Sequence, residues 1–338
     1  MIIVENVSLK PYNTFGIEVM AKSMADVQNL QDIQIFLNTS QFKNMPMFIL
    51  GGGSNVLFTK DFDGVVLKIS SKGILKIRET NDHVFLNVQA GVDWNEFVNY
   101  CLQNNLGGVE NLALIPGTVG SSPIQNIGAY GTEAKDVIDS VEVVNIQNLQ
   151  MFDLKNEECK FGYRNSIFKN ELKGKVIISS VNFRLNKKHK LNVNYGAIRE
   201  EFSKAQINEP TIKDVANAVS AIRRAKLPDP KEIGNSGSFF KNPSIDKQRY
   251  EELVASYPVM PSYKQADDTF KIPAGWMIEQ CGWKGYREGD AGVHKDQALV
   301  LVNYGNASGK EILDLAKKIQ KSVKEKFKTE LEMEVNIV

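Results

Sequence analysis

The sequence predicts an α+β protein with more than one domain. Short apolar runs rich in β-branched residues are interspersed with segments of helical spacing through the first 210 residues. The composition changes near residue 211, where a long helical segment ends at two prolines. The chain has 338 residues, 42% of them hydrophobic and 24% charged, which is enough for several buried cores in a globular protein.

The first 210 residues combine several strands with two helices. Segment 24–37 has helical spacing, whereas the apolar run 47–50 and the β-branched run 64–70 are typical of strands. The later strand-like runs are 74–79, 83–91, 138–146, 151–154 and 175–185, and the later helical segment is 93–105. We therefore expect two α+β lobes in this part of the chain.

The remaining residues predict four helices and a final strand. Helical patterns cover 211–226, 246–257 and 274–283. Near the end, an apolar stripe at helical spacing indicates a helix packed on a core. The stripe consists of Ile312, Leu315, Ala316, Ile319 and Val323. Residues 331–338 have the composition of a strand.

The charge and the cysteine content exclude several classes of protein. Lysine and arginine total 41 against 40 acidic residues, so the net charge of +1 gives no reason to expect nucleic acid or a membrane as a partner. Three isolated cysteines and three scattered histidines favour neither a disulfide framework nor a metal site, and they suggest a reducing compartment. No signal peptide or long apolar span is evident, so we expect a cytoplasmic protein.

Two glycine-rich loops are candidates for holding a phosphate-bearing cofactor. Loop 49–58 follows a strand, and loop 114–133 carries four glycines with small polar residues. Glycines permit close approach of backbone N–H groups to an anion, although clusters of glycine are also common in turns that have no ligand. Neither loop fits the common dinucleotide or P-loop patterns, which disfavours a Rossmann dehydrogenase and a P-loop NTPase.

Seven motifs together resemble one enzyme family. They are NTFG (13–16), LGGGSN (50–55), IPGTVGSSPIQNIGAYG (115–131), FGYRNSIFK (161–169), GSFFKNP (237–243), AGWMIEQCGWKG (274–285) and HKDQALVLVN (294–303). In this order the sequence resembles the UDP-N-acetylenolpyruvoylglucosamine reductases, flavoenzymes of bacterial peptidoglycan precursor synthesis. The resemblance runs from about residue 10 to the end of the chain.

The resemblance implies a two-lobed FAD-binding fold like that of vanillyl-alcohol oxidase, followed by an α+β substrate-binding domain. It places the lobes in 1–70 and 71–210 and the substrate-binding domain in 211–329, with strand 330–338 returning to the first lobe. The cofactor is expected to be non-covalent FAD, since no histidine lies in or beside either glycine loop. The residues implied in FAD binding are Gly51, Gly52, Gly53, Ser54, Asn55, Pro116, Gly117, Gly120, Ser121, Ser122, Gln125, Asn126, Gly128, Ala129, Tyr130 and Gly131.

The resemblance also implies a reaction and three catalytic residues. NADPH reduces FAD, and reduced FAD passes hydride to the enolpyruvyl double bond of UDP-N-acetylglucosamine enolpyruvate, giving UDP-N-acetylmuramate. Negative charge then develops beside a carboxylate, so a cation and a proton donor are needed. Arg164 is implied as the cation, Ser238 as the proton donor and Glu334 as the group that completes the site.

The residues alone leave several of these assignments open. A serine in a loop and an arginine beside a strand are common without any function. Glu332 is equal to Glu334 on strand spacing, because residues two apart share a face. Ser236 offers a second hydroxyl near Ser238, and the resemblance ranks it behind.

Further residues are implied in holding the substrate. Tyr195 resembles the tyrosine of a mobile loop that covers the diphosphate, which would place the chain in the subgroup that has this loop. The others are Tyr163, Lys226, Asn242 and Gln297. The ligands expected are NADPH and the enolpyruvyl nucleotide, and the protein is expected to be a monomer.

Two other functions are compatible with parts of the sequence. Another FAD oxidoreductase of this fold, acting on a small hydroxy acid or sugar, would explain the glycine loops but not the three catalytic residues together. A nucleotide-sugar-binding protein without catalysis would have no need of a proton donor.

Overall fold

The computed structural model describes residues 1–42 and 45–338, a mixture of helices and short sheets. The helices are α1 (Leu30–Asn38), α2 (Trp94–Gln103), α3 (Gly196–Lys204), α4 (Ile212–Lys226), α5 (Lys247–Ser256), α6 (Ala274–Gln280) and α7 (Gly309–Phe327). The strands of the first half are β1 (Ile2–Ser8), β2 (Met20–Val27), β3 (Met47–Leu50), β4 (Val56–Leu57), β5 (Phe62–Ile69), β6 (Ile74–Glu79), β7 (His83–Gln89), β8 (Gly128–Ala129), β9 (Thr132–Glu133), β10 (Ile138–Asn145), β11 (Met151–Lys155) and β12 (Val176–Asn186). Those of the second half are β13 (Gly234–Ser238), β14 (Ser244–Ile245), β15 (Tyr263–Lys264), β16 (Phe270–Lys271), β17 (Arg287–Glu288), β18 (Ala291–Val293), β19 (Val300–Asn303) and β20 (Asn336–Ile337).

The elements confirm the α+β class and most of the sequence-based segments. The strands predicted at 47–50 and 74–79 match β3 and β6, and the stripe near the end lies on the buried face of α7. Two segments differ from the prediction. Residues 24–27 belong to strand β2, which continues to Val27, and the helix begins only after Asn29, whose side chain caps it. The final strand is limited to β20.

The chain divides into two compact units. The first comprises Met1–Val7, Ala21–Gly53 and Asp63–Ala225. The second comprises Ser8–Met20, Ser54–Phe62 and Lys226–Val338. Each unit therefore draws on separated stretches of sequence.

The first unit is built around two sheets. A four-stranded sheet has the order β1-β2-β5-β3, and a five-stranded sheet has the order β11-β10-β12-β7-β6. The five-stranded sheet is antiparallel throughout. An extended apolar core includes residues from both sheets and from helices α1 to α4, among them Trp94, Phe97 and Phe183. This core fixes the ends of the strands from which the glycine-rich loops emerge.

The second unit contains a four-stranded sheet with the order β13-β19-β18-β17 and a three-stranded sheet with the order β14-β16-β15. Helix α7 packs against β18 and β19 with its apolar stripe. Strand β20 pairs in parallel with β4, so the last residues of the chain return to a segment that begins near residue 54. Strand β13, which carries the GSFFKNP motif, is an edge of the four-stranded sheet.

Candidate active site

The two glycine-rich loops lie against each other in the first unit. A Cβ placed on Gly52 would lie 2.8 Å from the Cα of Gly117, and one on Gly51 would lie 2.7 Å from the Oγ1 of Thr118. These distances leave no room for a side chain, so glycine is required where the two backbones meet. The loops are separate in sequence, and the fold makes them one surface.

The polar side chains of the second loop hold the loop itself in place. Ser121 donates a hydrogen bond from its Oγ to the carbonyl oxygen of Thr118 at 2.7 Å, and Ser122 donates to that of Val119 at 2.7 Å. Asn126 is fully buried, and its amide donates to Glu133 and to the Gly162 carbonyl. The hydrogen bonds of these side chains therefore stabilise the conformation of the loop.

The two loops fit a diphosphate-bearing cofactor such as FAD. Neither segment 49–59 nor segment 114–132 contains a charged residue, and the carboxylate of Glu133, which ends the second loop, is paired with Lys135 and accepts a hydrogen bond from the Asn126 amide. The glycine contacts bring two stretches of backbone together where side chains would otherwise fill the space. The backbone that would face the cofactor in this fit belongs to Gly51, Gly52, Gly53 and Gly117. The next two residues, Ser54 and Asn55, begin a segment of the second unit.

Arg164 is attached to the second glycine loop. Its guanidinium donates to the carbonyl oxygen of Gly128 at 2.6 Å and to that of Asn126 at 3.5 Å. The backbone of Arg164 is left-handed, with φ of 51°, and its guanidinium carbon lies 5.5 Å from the centre of the Tyr163 ring. A non-glycine residue with this φ is uncommon and is held by its surroundings. The fold thus fixes a permanent cation beside residues 126–128.

Two predicted tyrosines also meet in the first unit. The rings of Tyr130 and Tyr195 are in edge-to-face contact with their centres 5.6 Å apart. Burial raises the pKa of Tyr130, and the charge of Arg223 opposes this shift. Tyr195 is exposed and lies just before α3.

Ser238 is the last residue of β13 and follows a β-bulge. Asn235 pairs with Val302 and Ser238 pairs with Val300, so β13 contains one more residue than the partner strand over this interval. Gly237 is left-handed there, with φ of 69°, as bulges of this kind require. Since directly paired residues share a face, Asn235 and Ser238 lie on one face of the sheet and Ser236 lies on the other. The bulge therefore separates the two hydroxyls that sequence spacing could not distinguish.

The residues after Ser238 run beside the end of the chain. The backbone N–H of Glu334 donates to the carbonyl oxygen of Phe239 at 2.8 Å, and Phe240 forms a β-bridge with Met333. The rings of Phe239 and Phe240 are completely buried and 5.2 Å apart. This pairing places Glu334 and Ser238 on neighbouring stretches of one unit.

The two glutamates at the end of the chain differ in burial. Glu334 is only 9% exposed, and the amide of Asn55 donates to its backbone oxygen at 3.2 Å. Glu332 has a side chain that is 70% exposed and forms an ion pair with Lys241. Both residues flank Met333 in its bridge with Phe240, so pairing does not separate them and burial does. Glu334 is the buried carboxyl of the pair.

Comparison with known proteins identifies the family. Residues 229–338 match the model of the UDP-N-acetylenolpyruvoylglucosamine reductase C-terminal domain, and residues 21–148 match that of an FAD binding domain. The chain is 53% identical to the UDP-N-acetylenolpyruvoylglucosamine reductase of Flavobacterium johnsoniae over 339 residues, which cover 100% of both chains. The chain belongs to the UDP-N-acetylenolpyruvoylglucosamine reductase family.

Other reductases of this family are similar over nearly the same length. The relative from Chromobacterium violaceum is 47% identical and covers 97% of each chain. The crystal structure of the reductase from Thermus caldophilus has the same fold, with a TM-score of 0.68 over 99% of this chain and 98% of that one at 24% identity. The predicted family and an FAD-dependent oxidoreductase are thereby confirmed. The tyrosine-loop subgroup stays a prediction.

The other substrate-binding residues predicted for this reductase are scattered over the second unit. Asn242 accepts a hydrogen bond from the backbone N–H of Ala274 at 2.9 Å, where α6 begins. The side-chain oxygen of Gln297 lies 3.1 Å from the position that a Cβ on Gly275 would take, so Gln297 also borders α6. Lys226 is exposed at the end of α4. The structure therefore brings Asn242 and Gln297 to one helix and leaves Lys226 at a unit boundary.

The reductase contains a half-buried arginine that the sequence analysis missed. Arg223 lies on α4, and its Nε is buried without a hydrogen-bond partner in the described part of the chain. The sequence pattern of residues 211–226 indicated only a helix. It did not show which of the two arginines, Arg223 or Arg224, faces the protein interior. Burial could be foreseen only from the apolar positions of the helix.

Two further properties of the reductase concern membranes and metals. Among residues 1–42 and 45–338, no helix combines the length and the apolar character needed to cross a bilayer. Within the same residues, His, Cys, Asp and Glu side chains do not gather in a group that could hold a metal ion.

Proposed function

We propose that this chain catalyses the NADPH-dependent reduction of UDP-N-acetylglucosamine enolpyruvate to UDP-N-acetylmuramate through non-covalently bound FAD. The observation that carries the proposal is the identity of 53% along the whole chain with a relative named UDP-N-acetylenolpyruvoylglucosamine reductase. The match to an FAD binding domain agrees with the contact between the two glycine loops.

Bound FAD supplies the hydride carrier between NADPH and the enolpyruvyl double bond. In the proposal, Ser238 donates a proton from its hydroxyl to the carbon beside the carboxylate, where negative charge develops after hydride addition. A serine hydroxyl is a weak acid, but a carbanion is a strong enough base to accept its proton. The bulge before Ser238 and the two buried phenylalanines after it hold the backbone that carries this hydroxyl, which supports the proposal.

Arg164 and Glu334 provide the electrostatic part of the proposed site. Arg164 binds the substrate carboxylate, and its guanidinium can donate to two oxygens at once while remaining charged. Its hydrogen bonds to the Gly128 and Asn126 carbonyl oxygens orient it before substrate arrives. Glu334 is nearly buried, a position in which a carboxyl needs a hydrogen bond or an opposite charge.

The remaining residues are proposed to hold the nucleotide part of the substrate. Lys226 provides a point charge for the diphosphate, and Tyr195 closes over it. Asn242 and Gln297 border the beginning of α6, and Tyr163 lies beside Arg164. A monomer in the cytoplasm is the simplest state for such an enzyme, and we retain it as part of the proposal.

The test follows the visible flavin band of purified protein without oxygen. NADPH is added first and the enolpyruvyl nucleotide second, with a small hydroxy acid or a sugar as the comparison acceptor. Bleaching by NADPH and recovery only with the enolpyruvyl nucleotide is the expected result. Recovery with a hydroxy acid or sugar, or absence of a flavin band, would overturn the proposal.

A further inference from the structure

Asn235 is a buried asparagine of β13 that lies three residues before Ser238. It is only 2% exposed and occupies the last regular pairing position before the bulge. Its Nδ2 donates to the carbonyl oxygen of Ile233 at 2.8 Å and to that of Pro228 at 3.2 Å. Its Oδ1 accepts a hydrogen bond from the backbone N–H of Gly237 at 2.9 Å. The planar amide offers two hydrogens and an oxygen, and these contacts use all three.

The hydrogen bond to Gly237 lies at the point where the sheet pairing is interrupted. The register shifts between Asn235 and Ser238, and Gly237 has a left-handed backbone with φ of 69°. A bulge takes a residue out of the regular ladder, so its conformation depends on other contacts. After the bulge, the N–H of Phe239 donates to the carbonyl oxygen of Leu299 at 2.9 Å. The bulge is therefore held by Asn235 at one end and by Phe239 at the other.

We propose that Asn235 is a positioning residue for Ser238 in the proton-transfer step. The inference rests on the function proposed above and adds a residue that acts on the reaction through Ser238. By holding the N–H of Gly237, the amide fixes the backbone from which the Ser238 hydroxyl reaches the carbon beside the substrate carboxylate. A displacement of about 1 Å slows such a step by about 10²-fold. Reduction of FAD by NADPH does not use this proton, so the effect falls on acceptor reduction.

Asn303 on the partner strand β19 provides a matched control. It is 4% exposed, and its amide donates to the carbonyl oxygen of Phe15 at 2.9 Å. Its Oδ1 accepts the N–H groups of Gly305 at 2.9 Å and of Ala307 at 3.0 Å. Like Asn235, it binds the N–H of a glycine two residues later, but this glycine leads toward α7 and not toward the proposed proton donor.

The test compares Asn235→Ala with Asn303→Ala in the FAD-loaded enzyme. Bleaching by NADPH and recovery on addition of the enolpyruvyl nucleotide are measured separately without oxygen and expressed per bound flavin. We expect Asn235→Ala to slow recovery by about 10- to 10²-fold and to leave bleaching within about twofold. Asn303→Ala should keep both rates, although the urea midpoint falls in both variants because each loses buried hydrogen bonds. Equal slowing of bleaching and recovery in Asn235→Ala would overturn the inference.

Asn235→Asp separates the position of the bulge from stability. The aspartate keeps an oxygen that accepts the Gly237 N–H, but it places a second oxygen against the carbonyls of Ile233 and Pro228. We expect a urea midpoint below that of the wild type with recovery close to the wild-type rate. This variant also carries the test if Asn235→Ala does not bind FAD, and recovery slowed by about tenfold or more would contradict the inference.

A double variant tests whether Asn235 acts through Ser238. In the Ser238→Ala background, adding Asn235→Ala should change the recovery rate by less than about twofold, since the group to be positioned is gone. Slowing by the same factor in both backgrounds would show a general structural role and overturn the inference. If the wild type fails to recover at all, the proposed function fails, whereas equal recovery of the two single alanine variants overturns only the role of Asn235.

Discussion

The two units of this protein contribute different chemical groups. The first unit supplies glycine backbones and the guanidinium of Arg164, which is held by carbonyl oxygens of the second glycine loop. The second unit supplies a hydroxyl, Ser238, and a nearly buried carboxyl, Glu334, on neighbouring extended segments. In the proposed reaction the first unit therefore stabilises negative charge, and the second unit handles the proton.

The units also differ in the structural feature that distinguishes a candidate site residue from similar residues nearby. In the first unit the selection is steric, since Gly52 has no space for a side chain. In the second unit a bulge places Ser236 and Ser238 on different faces of the sheet, and burial distinguishes Glu334 from Glu332, whose side chain is 70% exposed. Each selection can be tested with a matched control variant.

The largest effect is expected for Ser238→Ala. Loss of a positioned proton donor lowers turnover by about 10²- to 10⁴-fold. Ser236→Ala is the control, since the bulge directs that side chain to the opposite face of the sheet, and it should retain wild-type turnover within about twofold. Steady-state turnover with NADPH and the enolpyruvyl nucleotide measures both. Equal losses in the two variants would contradict the assignment of Ser238.

Glu334→Gln is expected to have the next largest effect. Replacing a carboxyl that acts on charge in the transition state should lower kcat by about 10²- to 10³-fold. Glu332→Gln removes an ion pair with Lys241 in which the Glu332 side chain is 70% exposed, so kcat should be nearly unchanged and the loss of stability should stay within about 1 kcal/mol. A comparable loss of kcat in the Glu332 variant would mean that burial does not identify the acting residue.

Gly52→Ala tests the contact between the glycine loops. The added methyl group would lie 2.8 Å from the Gly117 backbone, so one loop must shift. We expect a loss of about 1–3 kcal/mol in stability and a lower flavin content after purification. Gly196→Ala is the control, because open space surrounds that position at the start of α3. The flavin-to-protein absorbance ratio and urea unfolding measure the two effects.

The smallest effect on catalysis is expected for Asp32→Asn. The carboxylate of Asp32 belongs to the first unit, and we expect it to contribute to stability alone. Asp32 accepts hydrogen bonds from the Gln28 backbone and from the N-terminal amine, each at 2.9 Å. The Gln28 hydrogen bond is the main reason that the pKa of Asp32 is below its ordinary value of 3.8.

The stability that Asp32 contributes is therefore present above pH 3.8 and is lost as the pH falls through the lowered folded value. At pH 7 the variant should lose about 1–3 kcal/mol of unfolding free energy. The difference in unfolding free energy between the variant and the wild type should become smaller below about pH 4. Urea unfolding across this range measures the gap, and flavin bleaching and recovery should both be unchanged. A gap that widens in acid would contradict the account.

Most of the secondary structure could be predicted from periodicity. Strands such as β3 and β6 are short apolar or alternating runs, and α7 has a complete apolar stripe. The exception at 24–27 arose because Met24, Ala25 and Val27 also fit a helical spacing, and only sheet pairing decides between the two patterns.

Periodicity predicted less of the candidate active site than of the secondary structure. The glycine loops and Ser238 were visible as motifs, but their contacts depend on chain segments that are distant in sequence. The bulge at Gly237 cannot be read from spacing, since regular alternation would place Ser236 and Ser238 on one face. Arg223 and Arg224 are identical in type and adjacent, so only packing of α4 on the core distinguishes them.

The division of roles between the units is tested most directly by separating the two half-reactions in Ser238→Ala. The FAD-loaded variant is bleached with NADPH without oxygen, mixed with the enolpyruvyl nucleotide, and followed at the flavin band through a single turnover. The account predicts bleaching at the wild-type rate and recovery slowed by about 10²-fold or more, because only the second step needs the proton donor. Recovery at the wild-type rate would contradict it.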